Sequence, residues 1–386
     1  MPEGPAAVPQ AAPAVAAPPA FTHREILTVF SGVALCMLLA ALDQTIVAAA
    51  LPTIVKELGG FYDLSWVVTG YLLASTATTP LYGKLSDLYG RKRVLRTAVA
   101  IFLLGSALCG LAQSMSQLIV FRALQGLGGG GLMSVSQAII GEVVAPRQRG
   151  KYQGYIGSVF ALASVAGPLL GGVMTEHLSW RWIFYINLPI GAAALVITRR
   201  ALARLAVWRR ARPVIDLAGA ALVVTGVVCL LLLTSWGGVR LPWTSPAILA
   251  LAAGALGAFV LLVWRESTAA DPLIPPRMFA EPAFRTACVI VLLAAGLLFG
   301  AVVYIPLALQ LVGGLGASGA GLLLMPLMMG IVTSATLTGR LISRIGRYKP
   351  FPPAGLALVA GAFTALALAG GTLSRGEGVV CGGGLG

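Results

Sequence analysis

Two ionisable side chains stand inside long apolar stretches: Asp43 in "LDQTIVAAALPTI" (42–54) and Arg122 in "RALQGLGGGG" (122–131). Charges inside membrane-length apolar runs are costly and mark ion or proton pathways by default. Burial favours the neutral form of a carboxyl, whereas a nearby guanidinium favours the carboxylate. A carboxyl that alternates between those settings is a proton carrier. Asp43 could instead form a static ion pair or cap a helix end, and Arg122 could bond backbone carbonyls. Arg122 shares a helical face with Gln125, Gly126, Gly129 and Met133, so that face lines a cavity or a packing seam with Arg122 aimed inward.

A second constellation is "LYGKLSDLYGRKRV" (81–94), which crowds Lys84, Asp87, Arg91, Lys92 and Arg93 between two oily segments. Gly83 and Gly90 allow close approach and tight turning. Asp87 can pair with Arg91 or accept hydrogen bonds from a helix N-terminus, whose dipole favours an anion. The stretch reads as a loop that latches two parts of the protein together, where a plain basic loop would need neither Asp87 nor the glycines. A third stretch, "ASVAGPLLGG" (163–172), sets Gly167 and Gly171 one turn apart, beside Pro168 and Gly172. Small residues at that spacing let helices pack closely, and Pro loosens the local backbone ladder.

The elements that position these groups follow from composition. The 386 residues are 58% hydrophobic and 10% charged, with a mean hydropathy of +0.90. A soluble chain is about 45–50% apolar. Runs of membrane-spanning length are read at 26–50, 64–83, 96–114, 118–140, 152–174, 182–198, 216–236, 246–264, 286–311, 318–339 and 351–371. The fold class is therefore all-α, a polytopic membrane protein with about eleven spans. With the N-terminus in the cytoplasm, 22 of the 27 Lys and Arg fall on the cytoplasmic side and only Lys56, Arg181, Arg240 and Arg375 on the other. That asymmetry is the positive-inside signature. It accounts for the net charge of +14 and leaves no need for a nucleic-acid partner.

Residues 1–25 read as a disordered Pro/Ala-rich cytoplasmic tail and 26–198 as a six-helix bundle. Residues 199–285 hold basic cytoplasmic loops and an inserted helix pair, and 286–386 an incomplete second bundle. An internal repeat supports the two-bundle plan: "GKLSDLYGRKR" (83–93) aligns without gaps to "GRLISRIGRYK" (339–349), with Ser343 in the place of Asp87. Transporters are often built from such repeated halves.

These residues resemble those of the major facilitator superfamily. Stretch 81–94 is similar to its motif A, 122–131 to motif B, and 163–172 to motif C, the mark of the antiporters. "LDQTIVAAALPTI" resembles the first-helix signature of the 14-helix drug:proton antiporters of the EmrB/QacA type, and "WRWIFYINLPIG" (180–191) their sixth-helix entry. The resemblance covers about 25–371. It implies a major-facilitator fold with about 11 of 14 helices, hence a C-terminally incomplete chain that does not transport alone, or one part of a split transporter. It also implies proton coupling through Asp43 and Arg122, and a cytoplasmic gate of Gly83, Asp87, Gly90, Arg91 and Arg93.

The function expected is proton-driven efflux of drug-like or antibiotic small molecules across the cell membrane, by a monomer that uses the proton gradient and no cofactor. Gln44, Thr45, Trp66, Tyr71, Gln125 and Gln310 are candidates for the substrate cavity. Trp66 and Tyr71 fit an interfacial aromatic belt equally well. Proton-coupled uptake of a nutrient or metabolite, or an inactive fragment, are the alternatives. No GxxxxGK[ST] phosphate loop is present, which argues against an ATP-driven pump. His23 and His177 lie near span ends and the five cysteines stand apart, so neither an enzyme's catalytic cluster nor a metal site is implied.

Overall fold

A computed structural model describes residues 22–60, 63–145, 148–202, 216–269, 272–311, 325–346 and 349–369. Thirteen helices run in order among them: α1 His23–Leu58, α2 Leu64–Tyr89, α3 Arg91–Leu111, α4 Met115–Val143, α5 Arg149–His177, α6 Trp182–Tyr185 and α7 Asn187–Ala201. Then follow α8 Leu217–Trp236, α9 Pro246–Thr268, α10 Arg277–Ala280, α11 Pro282–Leu311, α12 Met325–Ile345 and α13 Phe351–Ala369. The described residues form no sheet; Gly237 and Leu241 make one isolated bridge in the α8–α9 turn. Seven helices are long and apolar enough to cross a bilayer, the broken α6–α7 counting as one of them. Of the expected tail (1–25), residues 22–25 are instead the cap and first turn of α1 and residues 1–21 lie outside the described residues, as do part of the basic loop (203–215), the start of the tenth span (318–324) and the chain end (370–386).

Local chemistry sets the helix ends. Thr22 caps α1 by accepting from the Glu25 amide, and Glu25 Oε2 accepts in return from the Thr22 amide at 3.0 Å, a reciprocal capping box. Ser114 and Ser245 cap α4 and α9 from one side only, each hydroxyl accepting from a first-turn amide, and Pro246 opens α9 where its missing N–H is harmless. Exposed Leu162, Leu169, Leu249, Leu256, Val260, Leu292 and Leu293 cover outward helix faces. Such large apolar area outside the core is what a lipid environment accommodates.

Helices α1–α7 pack into one bundle, with α4 at its centre between α2 and α3. Glycines make that centre. A Cβ at Gly126 or Gly130 would collide with the α2 backbone at Tyr71 or Ser75, and one at Gly128 with the α3 backbone at Phe102 and Ala98. The hairpin α8–α9 stands beside α2, with Trp66 and Trp236 edge to face at 5.8 Å and Asp63 3.6 Å from Arg240. Lys84 Nζ donates to Pro272 O at 3.1 Å near the other end of α2. Helix α12 packs on α5, Gly339 against Gly150 and Thr336 against Gly154.

The stretch expected as a loop between the second and third spans is instead helix on both sides of Gly90. Apolar length measures the part of a helix in the bilayer, not the whole helix, and α2 runs on through Lys84 and Asp87 to Tyr89. Gly90 alone makes the joint, at φ 89°, a conformation that side-chain-bearing residues rarely adopt. The repeat persists in the backbone. Gly346, the counterpart of Gly90, has φ 73°, and α12 ends at the repeat position where α2 ends.

Gly128→Val should lower stability by roughly 1–3 kcal/mol, the penalty of overpacking. Gly83→Ala, whose Cβ meets nothing within 4 Å, should leave it unchanged or raise it by up to about 1 kcal/mol. Thermal unfolding of the two variants in detergent micelles checks the ranking.

Candidate functional site

Asp43 lies midway along the 36-residue α1, which removes the helix-end-cap reading of this carboxyl. It is fully buried, and Arg122 is 1% exposed. The two are paired, Arg122 Nη1 to Asp43 Oδ2 at 2.5 Å. The other carboxylate oxygen, Oδ1, accepts from Gln125 Nε2 at 2.8 Å and from Asn187 Nδ2 at 2.9 Å.

The guanidinium is held on all sides. Its Nε donates to Val67 O at 3.1 Å and its Nη1 to Gln125 Oε1 at 2.8 Å. Its carbon lies 4.3 Å from the Tyr71 ring centre, close enough for a cation–π contact. Ser106 completes the network. Its hydroxyl donates to Phe184 O at 2.8 Å and accepts from Asn187 Nδ2 at 2.9 Å and Gln125 Nε2 at 3.1 Å. Helices α1, α2, α3, α4, α6 and α7 thus all contribute. Close approach makes it possible, since a Cβ at Gly105 would strike the Gln125 backbone. The break at Ile186, between α6 and α7, starts a new helix at Asn187 and places its amide beside Asp43.

Sequence reasoning brought Asp43 and Arg122 forward but passed over Asn187 and Ser106. Asn187 sits inside the quoted stretch 180–191, and the signal was there: an amide within an apolar span. Ser106, a lone hydroxyl in α3, had none.

The candidate cavity residues disperse. Tyr71 and Gln125 are buried in the Asp43–Arg122 network, not on an open wall or an interfacial belt, because the α4 glycines draw α2 and α3 over them. Thr45 Oγ1 donates to Ala163 O at 2.8 Å in the α1–α5 seam. Trp66 packs on Trp236 of the α8–α9 hairpin. Gln44 is exposed, and the Gln310 side chain lies outside the described residues. Of the motif C stretch, Gly167 and Gly171 face Thr45 and Ile46 so closely that a Cβ would collide, Pro168 continues α5, and Gly172 faces nothing within 4 Å.

At the motif A stretch, Arg91 has a stronger partner than Asp87. Its Nε meets Glu142 Oε2 of α4 at 2.6 Å, whereas Asp87 is 3.4 Å from Nη2 and 64% exposed. No helix N-terminus caps Asp87 among the described residues. It lines a cleft of about 940 Å³ with Lys84, Glu266 and the Pro272–Met278 segment. Gly83 has no close neighbour there, so the close approach expected of it is absent among the described residues. Arg93 is exposed on the first turn of α3. Among the described residues no group of His, Cys, Asp and Glu is arranged to hold a metal ion.

Comparison with known proteins identifies the company this fold keeps. Residues 33–386 match the family described as the Major Facilitator Superfamily. An uncharacterized MFS-type transporter of Mycobacterium tuberculosis is 45% identical over 87% of this chain and 48% of its own length. The multidrug transporter protein MdtP of Bacillus subtilis is 39% identical over 87% of this chain and 62% of its own. Multidrug resistance protein 3 of the same organism is 42% identical over 80% and 60%. The chain thus spans about half the length of the mycobacterial relative and about three-fifths of the other two. Among solved structures, the human organic anion transporter MFSD10 superposes with a TM-score of 0.62 at 18% identity, over 95% of this chain and 83% of that one. The proton:xylose symporter XylE superposes with a TM-score of 0.63 at 14% identity, over 94% and 80%. Those two likenesses are of fold.

Arg122→Gln strands a buried carboxylate and should cost about 3–5 kcal/mol. Adding Asp43→Asn should restore more than half of that loss, read as a double-mutant cycle by thermal unfolding. At the α2–α3 joint, Gly90→Val should lower the yield of folded protein in membranes well below that of Lys92→Ala, because only the first forces a β-branched residue to φ 89°. Fluorescence-detected size exclusion at matched expression compares them.

Proposed function

The chain belongs to the major facilitator superfamily, and from that premise we propose that it exports drug-like or antibiotic small molecules across the cell membrane in exchange for protons, as one of the 14-helix drug:proton antiporters of the EmrB/QacA type. The observation that carries the reading is the Asp43–Arg122 pair, fully buried midway along a membrane-length helix. Ionisable groups in that position are functional by default. In the reading, Asp43 carries the proton. Arg122 stabilises the ionised carboxylate and is released to other partners when Asp43 is neutral. The multidrug proteins of Bacillus subtilis at 39% and 42% identity support the substrate class, and the Gly167–Pro168–Gly171–Gly172 order supports antiport over uptake.

The gate of this exporter is the end of α2 and α3 around Gly90, where Asp87, Arg91 and Arg93 meet water. The positive-inside pattern supports a cytoplasmic position for that end and for the N-terminus. The protein works as a monomer in the bilayer on the proton gradient alone, with small molecules and protons as its partners.

Asp43→Asn keeps the size of the side chain and removes its titration. In vesicles with an imposed pH gradient, this variant should lose gradient-driven dye efflux by at least about tenfold, the scale of a lost binding interaction of 1.4 kcal/mol or more, while insertion stays intact. Efflux at the parental rate would assign Asp43 a structural role and place the proton route elsewhere.

A further inference from the structure

Around Asp43, hydrogen-bond donors outnumber acceptors. Arg122 Nη1, Gln125 Nε2 and Asn187 Nδ2 all point N–H groups at its two oxygens. A protonated carboxyl needs an acceptor for its new O–H, and as arranged the site presents it with none. Two amides could supply one by reversing. Gln125 is fixed, since its Oε1 already accepts from Arg122 at 2.8 Å and from Cys109 Sγ at 3.6 Å. Asn187 differs: its Oδ1 is buried and accepts no hydrogen bond, and the residue is fully buried. Turning it over breaks nothing on its oxygen side.

We propose that Asn187 is a positioning residue whose side-chain amide reverses when Asp43 takes up a proton, presenting Oδ1 in place of Nδ2. The inference rests on the reading of Asp43 as the proton carrier. A proton from hydronium forms an O–H bond at Asp43 Oδ1, leaving water and a neutral acid. Asn187 turns about its Cβ–Cγ bond so that its oxygen accepts that O–H, and its NH2 moves to the place of the unpartnered oxygen. The Ser106 hydroxyl rotates from Phe184 O toward the reversed amide. The titratable groups facing Asp43 are Arg122 from α4, Tyr71 from α2 and Cys109 from α3. Helix α5 packs Ala163, Ala166, Gly167 and Leu170 along the adjoining seam, and α6–α7 bring Phe184 and Asn187. Tyr71 Oη also lacks a hydrogen-bond partner, but it lies against Gly129 and no hydrogen bond joins it to Asp43, whereas Asn187 is already bonded to the carboxylate oxygen that takes the proton.

Infrared difference spectra of the 386-residue chain in lipid, acid minus neutral, test it. The parent should show a carboxylic acid C=O band that disappears in Asp43→Asn. In Asn187→Ala the band should move to higher wavenumber, because the acid has lost its acceptor. Asn187→Leu, close to Asn in shape, should show the same shift and serves if the smaller side chain does not fold. A band at the parental position in the Asn187 variant overturns the switch while leaving Asp43 as the carrier. The absence of any Asp43-dependent band at any pH overturns the carrier reading and the switch together.

Discussion

Burying one carboxylate is the constraint on which the bundle turns. An isolated charge in an apolar interior is so costly that it must be paired and hydrogen-bonded, and Asp43 is satisfied only when α2, α3, α4, α6 and α7 all converge on α1. That demand explains why α4 carries a run of glycines where most helices would carry bulk. Without Cβ atoms in the way, α2 and α3 approach until Tyr71 lies on the guanidinium and Ser106 reaches Asn187. The glycines are unfavourable for an isolated helix by up to about 1 kcal/mol each, and the packing and hydrogen bonds that they permit offset it.

The same logic joins the two repeated segments. Gly90 and Gly346 both end their helices at positive φ, yet their surroundings differ. Gly339 is pressed against Gly150 of α5, whereas its counterpart Gly83 has open space beside it among the described residues. A glycine at the shared position therefore ends each helix, and tertiary context decides what the preceding helix touches.

How much of this was legible beforehand depends on range. Hydropathy marked the all-helical class and the seven described helices of membrane length, because a membrane-length apolar run needs no tertiary information, though it stopped α2 short of Tyr89 where charge begins. The pairing of Asp43 with Arg122 could be anticipated, since two lone charges in oil have few alternatives to each other. The cavity candidates fared differently: Thr45 and Trp66 are polar or amphipathic in any setting, and only the neighbours on α5 and α8 reveal which contacts use them. Asn187 depended on the break at Ile186, which no periodicity announces. Glu142 as the main partner of Arg91 is a contact between α4 and α3 that sequence spacing does not encode.

The hairpin α8–α9 touches α2 near its start through Trp66 and Asp63, and the segment that follows α9 meets Lys84 near its other end. It therefore stands as a screen along that flank. Acyl chains that would otherwise lie against α2 meet Leu249, Leu256 and Val260 instead. A lipophilic molecule diffusing within the leaflet finds a wall on that side, and any lateral doorway into the bundle must open elsewhere on its perimeter.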